Sequence, residues 1–202
     1  MQSVHNQIYN KITKHKRGML FFPTEFSAMG SVSSVNMALS RLQKEGVIER
    51  IAQGIYLYPK IDPLFGKMYP STEEIAANIA KRDHARIIPT GAMALQKLGL
   101  STQVPMNLVY LTDGAPRKIQ IGKQNITFKT TTAKKLAIKG PVSSLVIQAL
   151  EELGKNKFDK DLQKRVLQIL KNETLKNLEH DAKLAPAWIA ALLKQAAIKI
   201  KE

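Results

Sequence analysis

Apolar positions recur at helical spacing from the start of the chain. Val4, Ile8, Tyr9 and Ile12 fall on one side of a helix expected over residues 4–15. Pro23 suits the first turn of a second, short helix ending near Met29-Gly30, because the N–H that proline lacks has no helical partner there. Gly30 is read as a tight turn, and Ser31 as the N-cap of a third helix running to about Glu45. In that helix Val32, Val35, Leu39 and Leu42 share one face, and Ser33, Ser34, Met37, Ser40, Arg41 and Lys44 lie opposite at about 100° per residue. Gly46 stops it. Residues 47–51 and 55–58 follow as two short strands around Ala52-Gln53-Gly54.

Pro59, Pro63, Gly66 and Pro70 mark a linker between 60 and 70. Beyond it, Ser71 and Glu74 form a capping box that opens a helix to about Arg82. Ile87 and Ile88 lead into Pro89-Thr90-Gly91 and a helix stopped by Gly99. Residues 107–112 read as a strand ended by Asp113-Gly114, and 117–121 with 125–130 as a hairpin around Gly122-Lys123. From Ala133 the pattern is helical in about four segments, and Pro186 can begin the last, which carries the only tryptophan, Trp188. These elements predict an α+β chain in three parts. They are a winged helix-turn-helix over 1–66, a mixed α/β domain over 67–153 and a C-terminal helical extension over 154–202.

Charge changes the picture. Among 202 residues, 31 Lys+Arg stand against 16 Asp+Glu, a net charge of +15, which brings a polyanionic partner to the front. The excess is +4 in 1–66, +6 in 67–153 and +5 in 154–202, with no block of five like charges. With no cysteine, disulfides, thiol nucleophiles and Cys-ligated zinc are excluded together. His5, His15, His84 and His180 are scattered, so no metal is expected, and no cofactor either. The N-terminus lacks the apolar stretch of a signal peptide, and no run approaches the roughly 18 apolar residues that span a bilayer. A soluble, cytoplasmic protein without a membrane partner is the expectation.

Helix, short helix, turn, longer helix and hairpin is the order of a winged helix-turn-helix, whose third helix enters the major groove of double-stranded DNA. Ser31, Ser33, Ser34, Met37, Ser40 and Arg41 are then the groove-facing candidates, and Lys44, Arg50 and Gln53 the backbone contacts. The bland alternative is a three-helix cap whose polar face is simply solvated.

Particular residues carry a resemblance. Phe22-Pro23-Thr24-Glu25-Phe26, Gly30-Ser31, Ala38-Leu39-Ser40-Arg41-Leu42, Gly46-Val47-Ile48 and Gly54-Ile55-Tyr56 resemble the N-terminal module of AbiEi-type antitoxins, of the abortive-infection, type IV toxin–antitoxin systems. Pro89-Thr90-Gly91, Leu98-Gly99-Leu100-Ser101 and Tyr110-Leu111-Thr112 are similar to the segment that follows. The resemblance implies a transcriptional regulator that represses its own operon by binding operator DNA, and a second domain that counteracts a nucleotidyltransferase-like toxin encoded beside it. In this chain Ser33, Ser34 and Met37 stand on a helix face that is richer in arginine in many such modules.

No Gly-rich phosphate cradle, Ser-His-Asp set or paired-carboxylate signature emerges, so no enzyme is expected. The alternative function is an RNA-binding or nucleic-acid-processing protein that uses the basic second domain, with Asp113 or His84 as its testable residues. A dimer on an inverted repeat and monomers on tandem sites both fit one sequence.

Overall fold

Ser3 opens the first helix, α1 (Val4–Thr13), by accepting a hydrogen bond from Asn6 N. The computed structural model describes residues 2–103 and 105–201. Its fold is α+β, and it separates into two units. One comprises residues up to 79 together with 119–123, the other 80–118 together with 124 onward.

In the first unit α1 is followed by strand β1 (Leu20–Phe21), a 3-10 turn (Pro23–Met29), α2 (Val32–Lys44), β2 (Glu49–Ala52) and β3 (Ile55–Leu57). Pro23 opens the 3-10 turn, and Glu25 closes it by accepting from Phe22 N at 2.8 Å. The three strands form an antiparallel sheet in the order β1-β3-β2. Ile8, Ile12, Phe21, Phe26, Val35, Ala38, Leu39, Leu42, Ile48, Tyr56 and Tyr58 make one core. Each large side chain buried there contributes about 1.5–3 kcal/mol.

Two details depart from the sequence reading. Val32 is 78% exposed, and Ala38 is buried beside Val35, Leu39 and Leu42. The buried stripe is thus the i, i+3, i+4, i+7 set starting at Val35, and Val32 stands one turn outside it. Gly30 has φ 168°, an extended backbone open to any residue, so it is not a left-handed turn. Glycine is needed there because a Cβ would come within 2.9 Å of Val4 Cγ2.

Residues 60–70, expected as a linker, fold into an antiparallel hairpin of β4 (Lys60–Asp62) and β5 (Gly66–Met68). The helix after it, α3 (Thr72–Arg82), starts on the expected capping box. Glu74 N donates to Ser71 Oγ at 3.1 Å, and Ser71 N donates to Glu74 Oε2 at 2.7 Å.

Strands β6 (Ile87–Pro89), β7 (Asn107–Thr112) and β9 (Gln124–Thr130) of the second unit lie in a four-stranded sheet of order β6-β7-β9-β8, whose edge strand β8 (Arg117–Ile121) ends in residues counted with the first unit. The chain passes from β7 to the far edge as β8, and the hairpin returns β9 between them. This makes β7 and β9 parallel, in register from Asn107↔Asn125 to Thr112↔Thr130. The helices are α4 (Gly91–Lys97), α5 (Ala133–Leu136), α6 (Pro141–Leu153), α7 (Lys160–Leu170), α8 (Leu175–Asp181) and α9 (Ala187–Lys201). Val146, Ile147, Leu150, Val166, Leu170, Leu178, Ile189 and Leu193 centre their core, with Phe158 and Trp188 packed against it, ring centroids 5.5 Å apart.

Gly91 is where α4 meets α6. A Cβ at that position would lie 2.8 Å from Gln148 O and inside the contact radius of Glu152 Cβ. Because the obstacle includes backbone, Gly91→Ala is expected to destabilise the chain by about 1–3 kcal/mol in denaturant unfolding. An unchanged midpoint would show that the two helices separate freely.

The N-terminus of α6 is closed by two buried carboxylates from distant sequence. Asp181, 0% exposed, accepts from Lys139 N at 2.9 Å, Gly140 N at 2.8 Å, His180 Nδ1 at 2.8 Å and Ser143 Oγ. Glu173 accepts from Val142 N at 2.8 Å and Ser143 N at 3.2 Å on one oxygen, and from Thr174 N and Asn177 Nδ2 on the other. Burial is the largest single influence on each carboxyl and opposes ionisation. The converging hydrogen bonds outweigh it, and both groups lie below the ordinary carboxylate range.

Candidate nucleic-acid interface

The polar face of α2 is a consequence of its buried one. With Val35, Ala38, Leu39 and Leu42 turned inward, Ser33, Ser34, Met37, Ser40, Arg41 and Lys44 are left exposed. Ser31 is the N-cap, accepting from Ser34 N at 3.2 Å with its Oγ 2.9 Å from Ser34 Oγ. Its hydroxyl therefore serves the helix first. Arg41 Nη2 lies 3.6 Å from Met37 Sδ, so the guanidinium rests along the methionine and keeps its remaining donors outward. Arg41 and Lys44 occupy the last turn, where they also complement the helix dipole.

Arg50 is exposed on β2 opposite Tyr56, and Gln53 is exposed in the turn before Gly54, whose φ of 68° supplies the left-handed position the β2–β3 turn requires. All nine candidate residues thus belong to α2, its cap and the adjoining β2–β3 hairpin. Ser33, Met37, Ser40 and Lys44 recur at helical spacing on one face.

Two contributions escaped the sequence reading. Asn36 is exposed beside Ser33 and Ser40, within about 60° of them around the helix, and offers the paired donor and acceptor that adenine can use. Its spacing from Ser33 and Ser40 was the available signal. Arg17 stacks on Tyr58, 4.7 Å from the ring centroid, and donates to Pro59 O at 3.2 Å. Nothing local in the sequence announces that contact, which spans 42 positions. His5 and Glu45, 3.1 Å apart, tie α1 to the end of α2.

In the second unit, Asp113 is engaged by Arg86. It accepts from the backbone N at 2.7 Å and from Nε at 2.8 Å, and the side-chain hydrogen bond from Arg86 holds its carboxyl below the usual range. His84 is exposed, in a left-handed conformation at φ 51°. Asp83 pairs with Arg82 and Arg117. Among the described residues, no group of three or more His, Asp or Glu is arranged to hold a metal, and no helix is long and apolar enough to cross a membrane.

The first unit packs its helices on a small antiparallel sheet, with a short hairpin following the longest of them. The whole-chain comparison then gives the family. A model of a family of unknown function, DUF6088, matches residues 7–178, and the chain belongs to that family. No curated protein matches. Among solved structures the chain is similar to the crystal structure of the RV2827C protein from Mycobacterium tuberculosis, at 13% identity and a TM-score of 0.45, over 95% of this chain and 80% of that one.

Proposed function

We propose that the chain is a DNA-binding transcriptional regulator that represses its own promoter and acts as the antitoxin of an abortive-infection, AbiEi-like system opposing a nucleotidyltransferase-like toxin. The observation that carries the DNA-binding part is the exposed face of α2, with Arg41 and Lys44 on it and Arg50 and Gln53 on the wing beside it. A helix of this kind fits the major groove, short serines let it approach closely, and the cations meet phosphates. The antitoxin part is supported by the resemblance of the sequence motifs.

Titration of the full chain on the DNA upstream of its own reading frame, repeated across salt concentrations, tests this reading. Lys44→Ala is expected to lower the slope of log K against log salt by about 0.9, with little change in preference for that DNA over unrelated duplex. An unchanged slope would remove Lys44 from the interface.

A second reading has one observation in its favour. Lys164, Lys171 and Lys199 line a groove between α7 and α9 whose other walls are Leu167, Gln168 and Ala196. That groove suits a phosphate backbone, and makes RNA binding by the second unit the alternative. Stronger binding to single-stranded RNA than to the upstream duplex at equal salt would favour it.

A further inference from the structure

Met37 stands in the middle of the exposed face of α2. Ser33, Ser34, Ser40, Arg41 and Lys44 all lie within about 60° of it around the helix. It is 54% exposed, so the core makes no use of most of its side chain. The three serines end one atom past Cβ, which leaves Met37, Arg41 and Lys44 as the long side chains of this face.

Arg41 is held in place. Its Nη2 lies 3.6 Å from Met37 Sδ, one turn back along the helix. The thioether thereby restrains a side chain that is otherwise rich in rotamers. A phosphate oxygen accepts a cation from many directions and gains little from such restraint. The O6 and N7 edge of guanine gains from it, because it takes two parallel N–H donors of one guanidinium in a single plane. Met37, the other half of the contact, is apolar, and the apolar group that the major groove offers is the C5 methyl of thymine. Positions 37 and 41 are about 6 Å apart along the helix axis and stacked base pairs about 3.4 Å, so a helix lying along the groove brings the two side chains to adjacent or next-but-one pairs.

We infer that Met37 and Arg41 act as one base-reading unit, with Met37 on the C5 methyl of a thymine and Arg41 on O6 and N7 of a guanine within two base pairs of it. Lys44 and Arg50 remain on phosphates. The inference rests on the DNA-binding reading above and adds to it the bases that α2 selects.

The operator need not be located first, because a polymerase can copy the upstream duplex with deoxyuridine in place of thymidine, or with 7-deazadeoxyguanosine in place of deoxyguanosine. The first copy lacks the thymine methyls and the second lacks the guanine N7 acceptors. In anisotropy titrations of the full chain at fixed salt, the uracil duplex is expected to bind about fourfold more weakly for each thymine read, the worth of one buried methyl group. The 7-deazaguanine duplex is expected to bind about tenfold more weakly, since one donor of the guanidinium loses its acceptor. Met37→Ala should bind thymine and uracil duplexes alike, Met37→Leu should keep the preference for thymine, and Arg41→Ala should bind the normal and 7-deazaguanine duplexes alike. Both positions are exposed, so all three variants should keep the thermal midpoint of the unaltered chain. Equal binding of the unaltered chain to the thymine and uracil duplexes overturns the inference, as does a uracil penalty that Met37→Ala retains in full, which would come from duplex shape. Indifference to 7-deazaguanine overturns it too, and returns Arg41 to the phosphates. In each of these cases a preference for the upstream duplex over unrelated DNA leaves the regulator reading standing, whereas the loss of that preference removes both.

Discussion

Replacing Asp181 by alanine is expected to lower stability by about 3–5 kcal/mol. The carboxylate is fully buried and satisfies Lys139 N, Gly140 N and Ser143 Oγ, and alanine would leave both backbone N–H groups without their acceptor at the largely buried start of α6. Orphaning a buried donor costs about 1–3 kcal/mol, and a change of this size moves the thermal midpoint of a chain this long by roughly 10 °C. Asp181→Asn should recover little, because both oxygens accept hydrogen bonds and an amide would turn a donor toward donors. A scanning calorimetry midpoint within two or three degrees of the unaltered chain for either variant would show that α6 needs no such closure.

The same pair sets an acid limit. The folded carboxyls of Glu173 and Asp181 ionise below the roughly pH 4 of unfolded acids, so the unfolded chain takes up protons first as pH falls. Their stabilisation is fully present above about pH 5, and declines as pH drops through the folded values.

The second large effect concerns DNA. Arg41→Ala combined with Arg50→Ala is expected to weaken binding to the upstream DNA by about 2–4 kcal/mol, roughly 30- to 700-fold. Both side chains are exposed, and Arg41 rests on Met37 Sδ of its own helix, so the thermal midpoint should stay within a degree or two. Fluorescence anisotropy at fixed salt provides the measurement. Affinity within threefold of the unaltered chain would place the duplex elsewhere, and the lysine groove along α7 and α9 would become the first surface to examine.

What was legible in the sequence was local. The third helix starts at Ser31 and stops by Gly46, the Ser71–Glu74 box opens α3, and the turn at Gly122 joins β8 to β9, because each signal sits within a few residues of its effect. What was illegible depends on partners far along the chain. Gly30 is needed for Val4, and Gly91 for Gln148 and Glu152. Nothing near Glu173 or Asp181 in the sequence marks them, and their burial follows only from α6 beginning where it does, some 30 to 40 positions away. The turn residues of 60–70 read as a linker because Pro63 and Gly66 serve a hairpin as well as they serve a break. For the interface, helical spacing gave the exposed face of α2 apart from Asn36, while the Arg17–Tyr58 stacking had no local mark.

The packing of Trp188 on Phe158 also has an optical meaning. The chain holds one tryptophan, and it packs, half-buried, against the core that α6, α7, α8 and α9 share. Intrinsic emission excited at long wavelength therefore watches the helical body alone, while the tyrosines of the first unit stay dark in that channel. Loss of structure around α2 and loss of structure around α6 are thus spectroscopically separate events in one unlabelled molecule.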